Sequence, residues 1–310
     1  MATPMISDQF GNFVLPIIRK EWAQRMNSVQ SPLAPFFGIE SSQNAAEYSQ
    51  GLGSLDLVPE YNSSAAEGAP GSIEYDSFSP LYEATFTHKE YASGLAIERK
   101  LWDDNRTGTI RRLAQNKGYQ FGMTIANHMS SVLNNAFSSS YVGGDAVSLC
   151  NDSHPVNVQN SSTVFDNKGT TAFSYAAIKA TIQAGKDMND DRGNPFPVIY
   201  DTIYVPTALE MQAYEYVDAS GKPGTADNDA NALNRRSLNV IVDPYLTDAN
   251  NWFMIDSQLA PMHLLWYWRV RPEVAMHPAS EYDLVIKYRG YMRYSFGWDD
   301  ARWIYGHEVA

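Results

Sequence analysis

Three pairs of adjacent aspartates are the residues best placed to do chemistry: Asp103-Asp104 in LWDDNRTG, Asp190-Asp191 in MNDDRGNP and Asp299-Asp300 in GWDDARW. Adjacent carboxylates can hold Mg²⁺ or divide acid and base roles. The third pair is the sharpest candidate. Trp298 and Trp303 frame it, Arg302 follows it, and together with His307 it would suit a metal-dependent hydrolase. Each pair nevertheless stands close to Gly, Asn or Arg at an element boundary, where aspartate closes turns and caps helices. The structural reading outweighs the chemical one at all three.

The remaining chemistry-bearing types do not converge. The histidines are His88, His128, His154, His263, His277 and His307, and no two have the spacing of a zinc face such as HExxH. Cys150, Asp152 and His154 lie close together in CNDSHP and imitate a Cys-His nucleophile pair, but neighbours in a polar loop rarely adopt triad geometry. In SGKPGT, Tyr216 stands where a phosphate-binding loop needs its first glycine, and Pro223 replaces the hydroxyl that would bind Mg²⁺. GLGSLD lacks the third glycine of a dinucleotide fingerprint. The expectation is a chain that is no enzyme and carries no catalytic residue, cofactor or metal.

Composition narrows the class. The 310 residues are 44% hydrophobic and 13% aromatic, enough for an ample core, and the 19 tyrosines and 7 tryptophans suggest wide sheets or subunit interfaces. The net charge of −12, with no Lys/Arg-rich run, argues against sequence-specific nucleic-acid binding. It is compatible with an acidic wall around packaged nucleic acid. A single cysteine excludes an intrachain disulfide and points to a reducing compartment. The longest apolar patch, LLWYW, falls far short of the ~20 residues of a membrane span, so a soluble cytoplasmic chain is expected.

The elements that would position these residues are unusual in length. PIIRKEWAQRM has the spacing of a short amphipathic helix, followed by a proline-broken segment that reads as an extended arm laid on a neighbour. Residues 52 to 97 read as a long hairpin: one strand over LGSLDLVPEY, a tip at NSSAAEGAPGS, and a return with Tyr82, Ala84, Phe86 and His88 on one face. A helix is predicted at about 109 to 136, with Asp104, Thr107 and Thr109 as candidate caps. A polar crossover follows from 138 to 171, then a compact α/β unit with helices at 173 to 188 and TALEMQAYEYV, and strands at DTIYVP, LNVIVDP and WFMID. From Leu284 to Trp298 a period-two strand places Ile286, Tyr288, Met292, Tyr294 and Phe296 opposite Lys287, Arg289, Arg293 and Ser295. Asp299-Asp300-Ala301 then reads as a turn, its carboxylates accepting backbone N–H groups or pairing with arginine, and Arg302 to Tyr305 as the strand coming back. Arms and hairpins of this kind suit a chain whose neighbours cover them.

That order of parts resembles the Hong Kong 97-type major capsid proteins of tailed phages, with text closest to Mu-like major head subunits. The similar segments are EATFTHKEYASGLAIERKLWDDN, NDDRGNPFPVIYDTIYVPTALEMQA, LNVIVDPYLTDANNWFMID, LLWYWRVRPEV and SFGWDDARWIYG, in that order. The resemblance implies an α+β fold with an N-arm at 1-50, an extended loop (E-loop) at 51-97, a P-domain with a spine helix at 98-171 and 263-310, and an inserted A-domain at 172-262. It implies self-assembly as hexamers and pentamers into an icosahedral virion shell around double-stranded DNA, formed in the host cytoplasm. Portal, scaffold and possibly decoration proteins would be partners, with no sequence-specific DNA contact and no membrane. Candidate subunit contacts are Tyr61, Tyr75, Phe86, Arg111, Arg112, Trp298, Asp299, Asp300, Arg302 and Trp303. The sequence shows no charged, coiled-coil-like scaffolding segment ahead of the arm, so either a separate scaffold protein or a segment already cleaved off is expected, and no text matches the family's lysine-asparagine crosslink. The rival within the fold is an encapsulin-like cellular compartment.

Overall fold

The computed structural model describes residues 7–55, 57–58, 60–61, 71, 73, 75, 80–98, 100–104, 107–156, 158, 163–221, 230–276 and 285–310. The first helix, α1 (Ser7–Asn27), is longer than its apolar spacing predicts and runs through Pro16. It buries Ile18 and Trp22. The following segment packs on its own chain. Leu33, Phe36 and Phe37 enter the main core, and Phe37 meets Trp266 edge-on at 5.7 Å. Two short strands then form, β1 (Gly38–Ser41) and β2 (Ala46–Leu52).

The hairpin is shifted from its predicted place. β3 (Pro80–Thr87) pairs antiparallel with β2, from Ala46 opposite Thr87 to Leu52 opposite Pro80. The outgoing arm is therefore 46–52, and the described residues of 53–61 form no strand. The predicted tip at 62–72 lies outside the described residues apart from Gly71. The predicted alternation on the return holds, with Ala84, Phe86 and His88 buried and Glu83, Thr85 and Thr87 exposed. At His88 the chain changes sheets: β4 (Lys89–Glu98) pairs with a later strand, so the single predicted return is two strands.

After the short α2 (Lys100–Asp103) comes α3 (Thr107–Asn134), 28 residues and ~42 Å long at 1.5 Å per residue. It crosses α1 closely because it carries glycine where the backbones meet. A Cβ on Gly118 would lie 2.2 Å from the Trp22 carbonyl oxygen, and one on Gly122 would lie 2.7 Å from that of Met26. The crossover is irregular apart from the two-residue strands β5 (His154–Pro155), β6 (Val164–Phe165) and β7 (Lys168–Gly169).

The α/β unit follows as expected: α4 (Tyr175–Lys186), β8 (Thr202–Pro206), α5 (Glu210–Asp218), β9 (Asn239–Asp243) and β10 (Trp252–Ile255). Strands β8 and β10 alternate between two cores. Tyr204, Phe253 and Ile255 face the main one, while Ile203, Val205, Trp252 and Met254 face a second beneath α4 and α5. The chain then passes through α6 (Ala260–His263) into β11 (Leu264–Met276), β12 (Val285–Trp298) and β13 (Ile304–His307).

Two sheets organise these strands. The first has the order β1-β11-β12-β4, and its antiparallel β11–β12 ladder runs from Leu264 opposite Trp298 to Met276 opposite Tyr288. The predicted period-two strand is β12, with Tyr288, Met292, Tyr294 and Trp298 inside. Gly290 shares that face because Phe121 of α3 presses onto it, 2.6 Å from where a Cβ would stand. Ser295, expected outside, is buried by a hydrogen bond to His88. The second sheet has the order β7-β13-β10-β8-β9. The final strand thus does not come back beside β12. It crosses to pair with β10 and β7 and joins the two cores.

Candidate functional site

The WDDARW turn sits between β12 and β13, where the two sheets meet. Asp300 accepts the Arg302 backbone N–H at 2.8 Å and the Arg302 Nη1 at 2.6 Å. The guanidinium lies 4.7 Å over the Phe165 ring. Burial pushes the Asp300 carboxyl up, but the Arg302 and His263 charges outweigh it and hold the group below the ordinary carboxylate range. Asp299 bonds His263 Nδ1 at 2.9 Å through one oxygen and accepts the Ser49 hydroxyl at 2.7 Å through the other. Burial pulls the His263 imidazole down, yet the Asp299 hydrogen bond and the charges of both aspartates prevail and hold it above its usual value. Asp299 thus joins α6, through His263, and β2, through Ser49, to the end of β12.

This arrangement ties distant parts of one chain together and leaves little for catalysis. Each carboxylate oxygen of Asp299 and Asp300 already has a donor from the same chain. His307 lies elsewhere, stacked on Trp252 at 3.9 Å with its Nε2 2.8 Å from Thr181 Oγ1. The hydrolase constellation of Asp299, Asp300 and His307 is therefore not assembled. Among the described residues no group of three or more His, Cys, Asp or Glu is placed to hold a metal ion.

A second clamp grips the same hairpin. Ser42 donates to Glu47, so the Ser42 oxygen accepts from His88 Nε2 at 3.0 Å, and His88 Nδ1 accepts the Ser295 hydroxyl at 2.9 Å. Burial and the nearby Arg293 hold the His88 imidazole below its usual value, and this relay needs the neutral ring. The partners are 46 and 207 residues from His88 in sequence, with no local motif to announce them.

The other candidates resolve into packing. Cys150 is fully buried, with its thiol pushed up by that burial, and His154 turns away from it to Asp145 at 2.7 Å and the Leu149 carbonyl at 3.2 Å. Asp190 closes a turn by accepting the backbone N–H groups of Arg192 and Asn194. The lysine of SGKPGT lies outside the described residues.

Of the candidate contact residues, Phe86, Trp298 and Trp303 are buried in their own chain, and Phe86 packs on Tyr267 at 5.4 Å. Asp299, Asp300 and Arg302 are engaged in the turn. Tyr61 and Tyr75 are 62% and 86% exposed, and Arg111 and Arg112 are exposed on the first turns of α3. Leu55, Leu57, Val58 and Ile73, close to the tyrosines in sequence, are exposed as well.

Comparison with known proteins fits this geometry. A family model described as phage capsid protein matches residues 82–306, well over half of the chain. No curated protein matches it. Among solved structures, a chain of Microbacterium phage Oxtober96 aligns at a TM-score of 0.53 and 10% identity, over 90% of this chain and 91% of that one. The procapsid of bacteriophage JBD30 aligns at 0.53 and 13% identity, over 97% of this chain and 75% of that one. A virus-like particle from Pyrococcus furiosus aligns at 0.53 and 9% identity, over 95% and 99%. At such identities the likeness is one of fold, whereas the family match reaches the sequence itself. The chain therefore belongs to the phage capsid protein family, a structural subunit of a virion shell with the Hong Kong 97-type major capsid fold.

Proposed function

We propose that this tailed-phage major capsid subunit assembles as hexamers and pentamers into an icosahedral shell around double-stranded DNA, in the host cytoplasm. The observation that carries the reading is the family match over 82–306, which takes in the second sheet, all of the first but β1, and the long helix. The exposed apolar residues of the loop support it, since Leu57, Val58, Tyr61 and Tyr75 are hard to leave in water on a monomer. In this reading 1-50 is the N-arm, 51-97 the extended loop, 98-171 with 263-310 the P-domain, and 172-262 the A-domain.

The loop tyrosines and the Arg111–Arg112 pair are the candidate contacts still free to meet a neighbour, while the WDDARW turn holds the loop's base in place. The subunit does no chemistry: its buried histidines and cysteine serve packing and hydrogen bonding. Portal, scaffold and possibly decoration proteins are its further partners, and a net charge of −12 favours enclosing DNA without reading it. The encapsulin-like alternative is less favoured, because the family match is to phage capsids. Native mass spectrometry of gently dissociated assemblies tests the proposal. Rings of six and five copies are expected; only dimers or trimers, or shells that retain a folded cargo enzyme, would overturn it.

A further inference from the structure

The basic residues of this acidic chain are unevenly spread. From Asn105 to Gly144 it carries no acidic residue, while Arg106, Arg111, Arg112 and Lys117 make that stretch +4 in a chain of −12. The stretch contains all of α3. Along the helix Arg112, Asn116, Tyr119, Gln120 and Asn127 are exposed on one face, turned away from the buried Ile110, Ala114 and Phe121. Lys117 flanks this face and donates to Gln120 Oε1 at 3.2 Å. Arg111, a helical step of about 100° from Arg112, points off it and stays available to a neighbouring subunit.

The first helix completes the face. It lies beside α3, with Trp22 against Gly118 and Met26 against Gly122. Lys20, Gln24 and Arg25 are exposed on α1, and the Arg25 guanidinium stands 5.2 Å over the Tyr119 ring, joining the outer sides of the two helices. Glu21, the acid among these residues, is half-buried and accepts Gln115 Nε2 at 2.7 Å. Among the described residues no ion pair takes up Lys20, Arg25, Arg112 or Lys117.

The chemistry of the face selects its partner. Tyr119 is the only large hydrophobic residue exposed on the described parts of the two helices, so the apolar anchors on which protein interfaces are built are missing. Cations interleaved with amide and hydroxyl donors suit phosphate oxygens instead. From Arg112 to Asn127 the stripe runs about 22 Å at 1.5 Å per residue, a length along which a duplex presents phosphates continuously.

We infer that the α1–α3 face is a sequence-independent binding surface for the phosphate backbone of double-stranded DNA. Lys20, Arg25, Arg112 and Lys117 neutralise phosphates, and the amides of Gln24, Asn116 and Gln120 donate to their oxygens. The rest of the chain, more acidic than its total charge, repels the same molecule. The inference rests on the shell-forming reading above and adds to it the surface by which the subunit meets what the shell encloses.

Fluorescence anisotropy of a short labelled duplex tests this on the full-length chain, kept unassembled by dilution as light scattering verifies. Four phosphate contacts predict a log-log salt slope of about −3.6, or about 150-fold weaker binding at 200 mM than at 50 mM salt. Lys20→Gln, Arg25→Gln, Arg112→Gln and Lys117→Gln combined should weaken binding at the lower salt by about tenfold or more and flatten the slope. Two control pairs should stay within about threefold of wild type: Arg25→Lys with Arg112→Lys, which keeps the charge, and Arg235→Gln with Arg236→Gln, which removes exposed arginines elsewhere. A wild-type chain that does not bind the duplex at the lower salt, an unchanged fourfold variant, or an equal loss in either control pair would overturn the assignment while leaving shell formation intact. Polyglutamate bound as tightly as the duplex would also overturn it, in favour of an acidic protein. A chain that binds the duplex but forms no shell under any condition would instead sink the shell reading.

Discussion

His307 should make this protein acid-labile by a calculable amount. Thr181 spends its hydroxyl proton on the Ala177 carbonyl at 3.0 Å, so the 2.8 Å contact to His307 requires the proton on Nε2. Nδ1 is then the bare nitrogen, buried without a partner and crowded by Gly169, whose added Cβ would lie 2.3 Å from it. Protonation would place an N–H where nothing accepts it. Burial accordingly brings the imidazole down to about 4 on a side chain only 5% exposed. A depressed histidine favours the folded state above its unfolded pKa of about 6.5, and that advantage is lost as pH falls toward 4. Between pH 7 and pH 4 the loss amounts to about 3 kcal/mol. Unfolding of wild type and His307→Phe at both pH values isolates it, since the phenylalanine keeps the stack on Trp252 and cannot titrate. The variant should lose about 3 kcal/mol less than wild type. A ring that titrates by NMR at 6 or above, or equal acid sensitivity of the two proteins, would refute the reasoning.

Three further perturbations probe the frame. Gly290→Ala drives a methyl into Phe121 at 2.6 Å and should cost about 1–3 kcal/mol by overpacking, read as a lower melting temperature; an unchanged one contradicts the α3–β12 contact. Asp243 is fully buried and accepts from Ser130 Oγ and Tyr204 OH at 2.6 Å and from the Tyr245 N–H at 2.8 Å. Asp243→Ala orphans these donors and should cost about 3 kcal/mol or more in chemical denaturation, with a loss under about 1 kcal/mol counting against it. The raised His263 pKa means that the Asp299 pair stabilises the fold below the unfolded pKa and loses that effect as pH rises through the folded one. In Asp299→Asn the ring should titrate lower than in wild type, and an unmoved titration would show that Asp299 does not hold it.

What could be read from the chain depended on one-sided burial. The β12 strand and the α3 helix announce themselves because one face of each meets a core, and the residues alternate or recur accordingly. The first core segment does not. Leu33, Phe36 and Phe37 sit among prolines in pieces too short for any period, so nothing in their spacing marks them as core. The hairpin register is hidden because LGSLDLVPEY carries a strand-like alternation, while AEYSQGL, the true partner of β3, shows Tyr48 to solvent and buries little. The close crossing of α1 and α3 had a visible signal, Gly118 and Gly122 four residues apart within a helix. At the site, Asp299-Asp300 was legible as a turn from its place after a long strand. Its grip on Ser49, 250 residues earlier, was not, since hydrogen bonds across that distance leave no spacing to detect.

Electron microscopy of the purified protein, alone and with a candidate scaffold, tests most directly whether this chain builds a closed shell. Closed particles with fivefold and sixfold clusters are expected. Monomers under every condition, accompanied by enzymatic turnover that disappears with Asp299→Asn, would contradict it.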